Sequence, residues 1–188
     1  MRWGNSKLSG TIPTELGVNT NLNWLDLYRN SLSGTLPTQL GSLRNLTTAM
    51  SLQQNSLVGS LPTQLLQLTL LEKLVVIDNE LNGTVPSQIS RLVQLQYLGL
   101  GSADYSPRYE RNSLSGFVPT QVGMLSKANT LYFGNHGQNP LSGTIPTEIG
   151  QLPRFLKDQP WNGQQGWVRT CCTRIPTLTH TCVNQPYS

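Results

Sequence analysis

The chain is 188 residues long, carries a formal net charge of +4 and has only 12% charged residues. This length fits a single domain, and no apolar stretch approaches the roughly 20 residues that a membrane-spanning helix requires. The positive charge is small and no run of lysine and arginine occurs, so the composition argues against a nucleic-acid-binding protein. We therefore expect neither a nucleic-acid partner nor a membrane span in this chain.

A short motif recurs along most of the sequence. Residues 32–41 read Leu-Ser-Gly-Thr-Leu-Pro-Thr-Gln-Leu-Gly, and close copies stand at 8–17, 57–65, 81–89, 114–123 and 141–150. The prolines of successive copies are 24, 25, 24, 33 and 27 residues apart. Such a nearly fixed period indicates a solenoid, in which each repeat forms one coil that stacks on the next.

A second pattern precedes the copies. The order Leu-x-x-Leu-x-Leu-x-x-Asn spans residues 22–30 and, with Val as the third apolar residue, residues 71–79. The alternation Leu25-Asp26-Leu27 predicts a short strand with both leucines facing inward, and such strands bury their leucines only by stacking into a parallel sheet. The predicted core positions are Leu25, Leu27, Leu52, Leu74, Val76, Leu98, Leu100 and Leu131.

Polar and special residues mark where each coil turns. Asn30, Asn55 and Asn79 stand where the chain leaves the predicted sheet, and an amide that both donates and accepts can satisfy buried turn groups there. Gly34 lets the backbone bend without a Cβ clash, and Pro37 fixes φ on the return side. These residues are predicted to build the scaffold and not to carry chemistry.

Together the two patterns resemble the plant type of leucine-rich repeat, found in receptor-kinase ectodomains and polygalacturonase-inhibitor-like proteins. The resemblance covers roughly residues 5–156. It implies an α/β solenoid: a right-handed coil of about six turns with a parallel β-sheet on the concave face and irregular or 3-10 structure on the convex side. We accordingly divide the chain into a solenoid at 1–156 and an irregular C-terminal cap, containing tryptophan and cysteine, at 157–188. The resemblance also implies that the concave face binds a protein or peptide.

The N-terminal part carries two further signals. Met1 to Gly4 run directly into a repeat, with no signal peptide and no capping module. Because a solenoid end exposes leucines, we expect either that preceding residues are missing or that Trp3 and a partner cover this end. Asn45 and Asn82 each begin an Asn-x-Thr acceptor triplet for N-glycosylation, which favours an extracellular or other secretory or lumenal location.

The repeat is interrupted twice at the same point of the coil, by insertions at 101–111 and 134–138. Insertions at one register of adjacent coils project from one edge, so we expect a raised patch there, unless both are only tolerated surface loops. Tyrosine and arginine are enriched at interface hot spots. The partner-binding residues predicted in this patch are Tyr105, Arg108, Tyr109, Arg111 and His136.

The predicted concave face carries large aromatic and aliphatic side chains at outward-facing positions. Exposed apolar surface on a soluble protein often marks a contact site. The aromatic residues predicted to bind the partner are Trp24, Tyr28, Tyr97 and Tyr132, and Val75 and Ile77 are also expected in the open. We therefore predict a non-catalytic protein- or peptide-binding module that uses this face and the adjacent rim loops.

The last segment contains the three cysteines of the chain, Cys171, Cys172 and Cys182. We expect Cys182 to form a disulfide with one of the adjacent pair, which would hold a small cap together and leave one thiol over. A zinc site that adds His180 is the alternative, although the adjacent cysteines lack the usual gap between paired ligands. The disulfide is preferred, so no metal site is predicted.

Two ladders of hydroxyl side chains support a different function. One follows the marker prolines, at Thr14, Thr38, Thr63, Ser87, Thr120 and Thr147, and the other precedes them, at Thr11, Thr35, Ser60 and Thr84. Such arrays resemble the ice-binding faces of some solenoid proteins, so an ice- or glycan-binding solenoid is the alternative, unless threonine simply suits an extended segment. Catalysis is not expected, because no nucleophile motif, P-loop or dinucleotide fingerprint occurs, and no cofactor is predicted.

Overall fold

The structure, a computed structural model, describes residues 1–101, 112–133 and 139–152. Within these residues the chain winds through successive coils, and a typical coil contains a short strand, a turn, a second strand and a 3-10 helix. The expected cap at 157–188 and, apart from Gly101, both insertions lie outside the described residues. The division into solenoid and cap therefore stays a prediction.

The strands, numbered in chain order, form two parallel sheets. Sheet A contains β2 (Trp24–Asp26), β4 (Ala49–Ser51), β6 (Lys73–Val75), β8 (Tyr97–Gly99) and β10 (Thr130–Tyr132), in this spatial order. Sheet B contains β1 (Ser9–Thr11), β3 (Ser31–Thr35), β5 (Ser56–Ser60), β7 (Glu80–Thr84), β9 (Ser113–Phe117) and β11 (Leu141–Ser142), also in this order. Neighbouring strands in each sheet come from successive coils, which confirms the predicted parallel stack.

Each marker proline precedes a short 3-10 helix. These helices are η1 (Thr14–Val18), η2 (Thr38–Ser42), η3 (Thr63–Gln67), η4 (Ser87–Arg91), η5 (Thr120–Met124) and η6 (Thr147–Gln151). Pro37 has an extended conformation, with φ −63° and ψ 131°, and its fixed φ and missing N–H suit the residue that starts a helix. Leu40, inside η2, turns inward and is fully buried. None of the helices in the described ranges is long and apolar enough to cross a membrane.

One continuous apolar core fills the space between the sheets and the helices. All of the predicted core positions, from Leu25 to Leu131, are at most 9% exposed, which confirms the assignment of inward-facing residues. The cluster extends from Ile12 in the first coil to Leu152 at the end of the described chain. Since a single coil has too few apolar residues to enclose a core, each coil depends on its neighbours for burial.

Buried asparagines tie successive coils together. The Nδ2 of Asn55 donates to the carbonyls of Leu27 and Leu52, both at 3.0 Å. Its Oδ1 accepts a hydrogen bond from the N–H of Leu32, also at 3.0 Å. The same pattern of bonds to two successive coils occurs at Asn79, Asn112 and Asn139, and at Asn30, which is only half-buried. The predicted role of these amides is confirmed, because each satisfies backbone groups that stacking would otherwise bury unpaired.

Sheet B goes beyond the expected irregular or 3-10 structure on this side of the coil. Gly34, in β3, has a φ of +74°, and a Cβ at this position would lie 2.9 Å from the Cγ2 of Thr11 in the preceding coil. Glycine therefore permits both the left-handed conformation and the close stacking of β1 on β3. The serine-rich strands have little intrinsic preference for a sheet, so the pairing between coils, which the sequence pattern does not display, stabilises them.

The 3-10 helices do not all stack equally closely. A Cβ at Gly41 would lie 2.3 Å from the carbonyl oxygen of Gln64, so η2 and η3 approach this closely only because the position is glycine. One coil later the same position holds Leu66, whose side chain is fully buried. Helices η3 and η4 accordingly pack less closely than the other neighbouring pairs, and Leu66 fills the space between them.

The first residues add a further segment to the edge of sheet A. The N–H of Trp3 donates to the carbonyl of Asp26 at 2.7 Å, in the direction of a parallel strand. Met1 and Trp3 thereby take the positions that Leu25 and Leu27 hold in the following coil, a match that the leucine pattern does not display because neither residue is leucine. Trp3 keeps 47% of its surface exposed, so it covers this end of the core only in part.

Candidate ligand-binding site

The outward side of sheet A presents two rows of side chains that run across the strands. The pairing of Cα atoms places Trp24, Ala49, Lys73, Tyr97 and Thr130 in the first row. The second row contains Asp26, Ser51, Val75, Gly99 and Tyr132. Neighbouring strands in a sheet are about 4.8 Å apart, so side chains that adjoin in a row can contact one another.

Two tyrosines form a paired aromatic surface on this face. Tyr97 on β8 and Tyr132 on β10 are diagonal neighbours, and their ring centroids are 5.6 Å apart with an angle of 54° between the ring planes. Tilted pairs at this distance are favourable, and tyrosine combines an apolar ring with a hydrogen-bonding hydroxyl. Both residues are half-buried, so each keeps part of its surface exposed. The structure thus brings two of the predicted site residues together.

Ile77, which the alternation places in the open, is buried. It is 9% exposed because its side chain lies over Gly99 of the next strand, where a Cβ would stand 2.8 Å from the Ile77 Cδ1. The Tyr97 ring also closes on this glycine, at 3.1 Å from the same Cβ position. The expectation for Ile77 is therefore wrong, since alternation gives the direction of a side chain but not the size of its neighbour across the sheet. Val75 is half-buried and continues the apolar surface toward β6.

Trp24 and Tyr28 lie at the other end of the face, against the N-terminal segment. The Cζ of Arg2 lies 3.9 Å from the centroid of the Trp24 ring, an arrangement in which the guanidinium is attracted to the ring face. The Tyr28 ring packs on Gly4, where a Cβ would be only 2.1 Å from the Tyr28 Cε1. Strands β4 and β6 separate this end from Tyr97. The structure therefore does not join the four predicted aromatic residues into one cluster.

Lys73 stands between the two aromatic groups and was not among the predicted binding residues. Its side chain is exposed and makes no hydrogen bond or ion pair to another residue in the described part of the chain. In its row it adjoins Tyr97 on one side and the small, buried Ala49 on the other. The signal in the sequence was a charge at a position predicted to face outward, whereas its neighbours across the sheet follow only from the register of the strands.

The remaining predicted residues are placed as follows. Tyr105, Arg108, Tyr109, Arg111 and His136 lie outside the described residues, as do Cys171, Cys172, Cys182 and His180, and their roles stay predictions. Asn45 and Asn82 are both exposed. The Nδ2 of Asn45 donates to the Thr20 carbonyl at 3.0 Å, whereas Asn82 stands on the outward side of β7 in sheet B. Among the described residues, no group of three or more His, Cys, Asp and Glu side chains is placed to hold a metal ion.

Comparison with known proteins agrees with this architecture. The Leucine Rich Repeat family model matches residues 21–43. The LRR ectodomain of the plant membrane receptor kinase GASSHO1/SCHENGEN3 from Arabidopsis thaliana, solved in complex with CASPARIAN STRIP INTEGRITY FACTOR 2, is 40% identical to this chain with a TM-score of 0.69. The match covers 78% of this chain and 16% of the receptor chain, so this chain spans about a sixth of that ectodomain.

Two further structures extend the comparison. A chain of the BIR3–SERK2 complex from Arabidopsis thaliana is 30% identical with a TM-score of 0.56, and the match covers 76% of this chain and 73% of that one. A plant ice-binding protein is 28% identical with a TM-score of 0.64, and the match covers 77% of this chain and 43% of that one. Comparison with the sequences of curated proteins gave no match. The repeat motif, the stacked parallel strands and these relatives together show that the chain belongs to the plant-type leucine-rich repeat proteins.

Proposed function

We propose that this chain is a non-catalytic module that binds a protein or peptide on the outward side of sheet A. The observation that carries the proposal is the tyrosine pair, Tyr97 and Tyr132, which presents half-buried rings next to Val75 on a sheet face. Rigid aromatic side chains on an otherwise ordered surface supply contact area at low cost in conformational entropy, and a few such residues usually dominate binding energy. The insertions at 101–111 and 134–138 adjoin these strands in sequence and are proposed to form the rim of the same site.

The related structures support this reading by analogy. The GASSHO1/SCHENGEN3 ectodomain was solved with a bound factor, and BIR3 and SERK2 were solved as a complex with each other. The first of these is described as the ectodomain of a membrane receptor, which supports an extracellular or lumenal location for this chain as well. In such a compartment the predicted disulfide of Cys182 and the glycosylation of Asn45 and Asn82 are chemically consistent.

The test uses a selected ligand because the natural one is unidentified. A phage-displayed library of random twelve-residue peptides is selected against the intact chain, and the affinity of the best peptide is measured by titration calorimetry. We expect Tyr132→Ala to weaken its binding about tenfold or more, since loss of an aromatic anchor costs about 2–4 kcal/mol. Tyr132→Phe separates the ring from the hydroxyl, and Thr84→Ala, on the exposed side of sheet B, is the control that should bind like the parent. Failure to select any peptide, or equal losses in Tyr132→Ala and Thr84→Ala, would contradict the proposal.

Ice or glycan binding is the second candidate, and one feature of sheet B favours it. The Thr11 and Thr35 methyl groups lie over Gly34 and Gly59 of the next coils, within 3.0 Å of where a Cβ would stand. Both methyl groups therefore take the same place relative to the next coil, although strand pairing sets Thr11 beside Ser33 and Thr35 beside Val58. The ladder after the prolines is less free, because the Thr38 hydroxyl hydrogen-bonds Gln39 at 3.3 Å. A plant ice-binding protein is among the related structures.

The same surface also shows why this candidate comes second. Phe117, which is 68% exposed, stands at a position of the threonine ladder itself. Val58, Glu80 and Asn82 stand at other outward positions of sheet B, beside the ladder. These side chains differ in size and charge, so the array is not uniform along the stack. If ice binding is the function, the chain inhibits ice recrystallisation, Thr35→Tyr abolishes the effect and Thr38→Tyr preserves it. A chain without any such inhibition would remove this candidate.

A further inference from the structure

Lys73 is placed to recognise charge within the proposed binding face. Among the outward residues of the five sheet A strands, Lys73 and Asp26 are the charged ones, and two strand spacings, about 10 Å, separate them. Asp26 already accepts a hydrogen bond from the N–H of Tyr28 through Oδ1, at 3.3 Å. In the described part of the chain, no carboxylate is within ion-pair distance of the Lys73 ammonium. Among the described residues, its charge is therefore not neutralised.

The surroundings of Lys73 combine this charge with apolar contact area. Tyr97 is its paired residue on the next strand, Tyr132 is one strand further in the second row, and Val75 is the next outward residue on its own strand. On the other side, the neighbour in the same row is Ala49, which is too small and too buried to shield the ammonium. A ligand that covers the tyrosines would also exclude water from the neighbourhood of Lys73, which strengthens an ion pair formed at that point.

We propose that Lys73 determines specificity by pairing with a side-chain carboxylate of the ligand, whose aromatic or aliphatic side chain binds on Tyr97 and Tyr132. This inference rests on the proposed function. In an extended peptide, residues i and i+2 point to the same side and are about 7 Å apart. Tyr97 lies one strand spacing from Lys73 and Tyr132 lies two, which is about 5 to 10 Å. A separation of about 7 Å between two ligand side chains falls within this range. The face thus selects peptides in which Asp or Glu is separated by one residue from an apolar side chain.

A peptide library tests this specificity directly. Acetylated and amidated peptides with every position varied are incubated with the parent chain and with Lys73→Glu, and the bound peptides are sequenced. The parent is expected to enrich Asp or Glu two positions from an aromatic or aliphatic residue. Lys73→Glu is expected to bind the best acidic peptide about tenfold or more weakly, because a charge-assisted hydrogen bond is lost and repulsion replaces it. The same variant should enrich Lys or Arg at that position instead.

The control variant is Lys127→Glu, which makes the same change of net charge at an exposed lysine outside the strands of sheet A. Equal loss of acidic-peptide binding in both variants would show that only overall charge matters and would overturn the proposal. An acidic preference that survives in Lys73→Glu would also overturn the proposal. A parallel library of peptides that are not amidated tests a second alternative: a preference confined to peptides with a free C-terminal carboxylate would overturn it as well. If peptides bind but show no acidic preference, the role of Lys73 fails while the binding function stands. If no peptide binds to the parent chain, the proposed function fails and this inference with it.

Discussion

At the residue scale, Asn55 shows what one side chain contributes to a stack of coils. It is 6% exposed and pairs one buried N–H and two buried carbonyl groups from two successive coils. We expect Asn55→Ala to lower the free energy of unfolding by about 2–4 kcal/mol, because an unsatisfied buried group costs about 1–3 kcal/mol and several are created at once. Urea denaturation followed by circular dichroism measures this change.

Asn30 offers a matched control, since it is the first of these asparagines in the stack, forms equivalent bonds and is partly exposed. Water can replace the lost bonds there, so Asn30→Ala should cost clearly less than Asn55→Ala. Equal losses at the two positions would show that the contribution of these asparagines to the free energy of unfolding does not depend on their burial. A loss at Asn55 below about 1 kcal/mol would show that the amide is not needed to satisfy the turn.

The sequence predicts the roles of some single residues but not those of others at the candidate site. The role of the asparagines was predictable because an amide donates and accepts in any environment. Ile77 was not, because its burial depends on the absence of a side chain at Gly99 in the next coil. The significance of Lys73 depends on which residues adjoin it across the strands, and this register exists only once the coils are stacked.

At the scale of elements, the 3-10 helices show that a repeat position can carry either of two solutions. Glycine at Gly41 allows η2 and η3 to stack in contact, whereas Leu66 holds η3 and η4 further apart and is fully buried between them. We expect Leu66→Gly, which introduces the residue that most other coils have here, to destabilise the chain by about 3–5 kcal/mol. The cause is the cavity left by a large buried side chain, together with the flexibility of glycine.

The reciprocal change tests the same account. Gly41→Ala would place a Cβ 2.3 Å from the carbonyl oxygen of Gln64, and backbone cannot move aside as a flexible side chain can. We expect a loss of about 1–3 kcal/mol from overpacking, measured by urea denaturation alongside Leu66→Gly. A Leu66→Gly variant as stable as the parent would mean that η3 and η4 can close together, and the proposed role of Leu66 as a spacer would be wrong.

Elements were predictable where the pattern of one coil suffices. The strands of sheet A follow from alternating leucines, and irregular or 3-10 structure was expected on the other side, although a helix start after each proline was not predicted. Sheet B does not follow from such a pattern, because its serine-rich strands are stabilised by pairing between coils and not by their own preferences. The segment at Met1 and Trp3 was missed for a similar reason: its place in sheet A rests on hydrogen bonds to β2, and not on a leucine pattern.

At the scale of the whole molecule, the core joins all the coils, so stability should depend on the position of a residue along the stack. Leu74 is 1% exposed on β6, which has β4 and β8 on its two sides. Ile12 is 3% exposed, but the described chain places a full coil on only one side of it. In a stack whose stability is the sum of coil and neighbour terms, a central defect weakens two interfaces and an end defect weakens one.

We therefore expect Leu74→Ala to lower the free energy of unfolding by about 2–5 kcal/mol, and Ile12→Ala by less, in urea denaturation of both variants. Hydrogen exchange adds the spatial test: Leu74→Ala should reduce protection in β4 and β8 as well as in β6, whereas Ile12→Ala should affect mainly the first coils. A loss below about 1 kcal/mol at Leu74, or exchange changes confined to β6, would argue against one continuous core. Because Lys73 stands on the same strand as Leu74, a core variant would disturb the candidate site indirectly. The binding experiments therefore depend on surface substitutions such as Lys73→Glu and Tyr132→Phe, whose effects on the core are small.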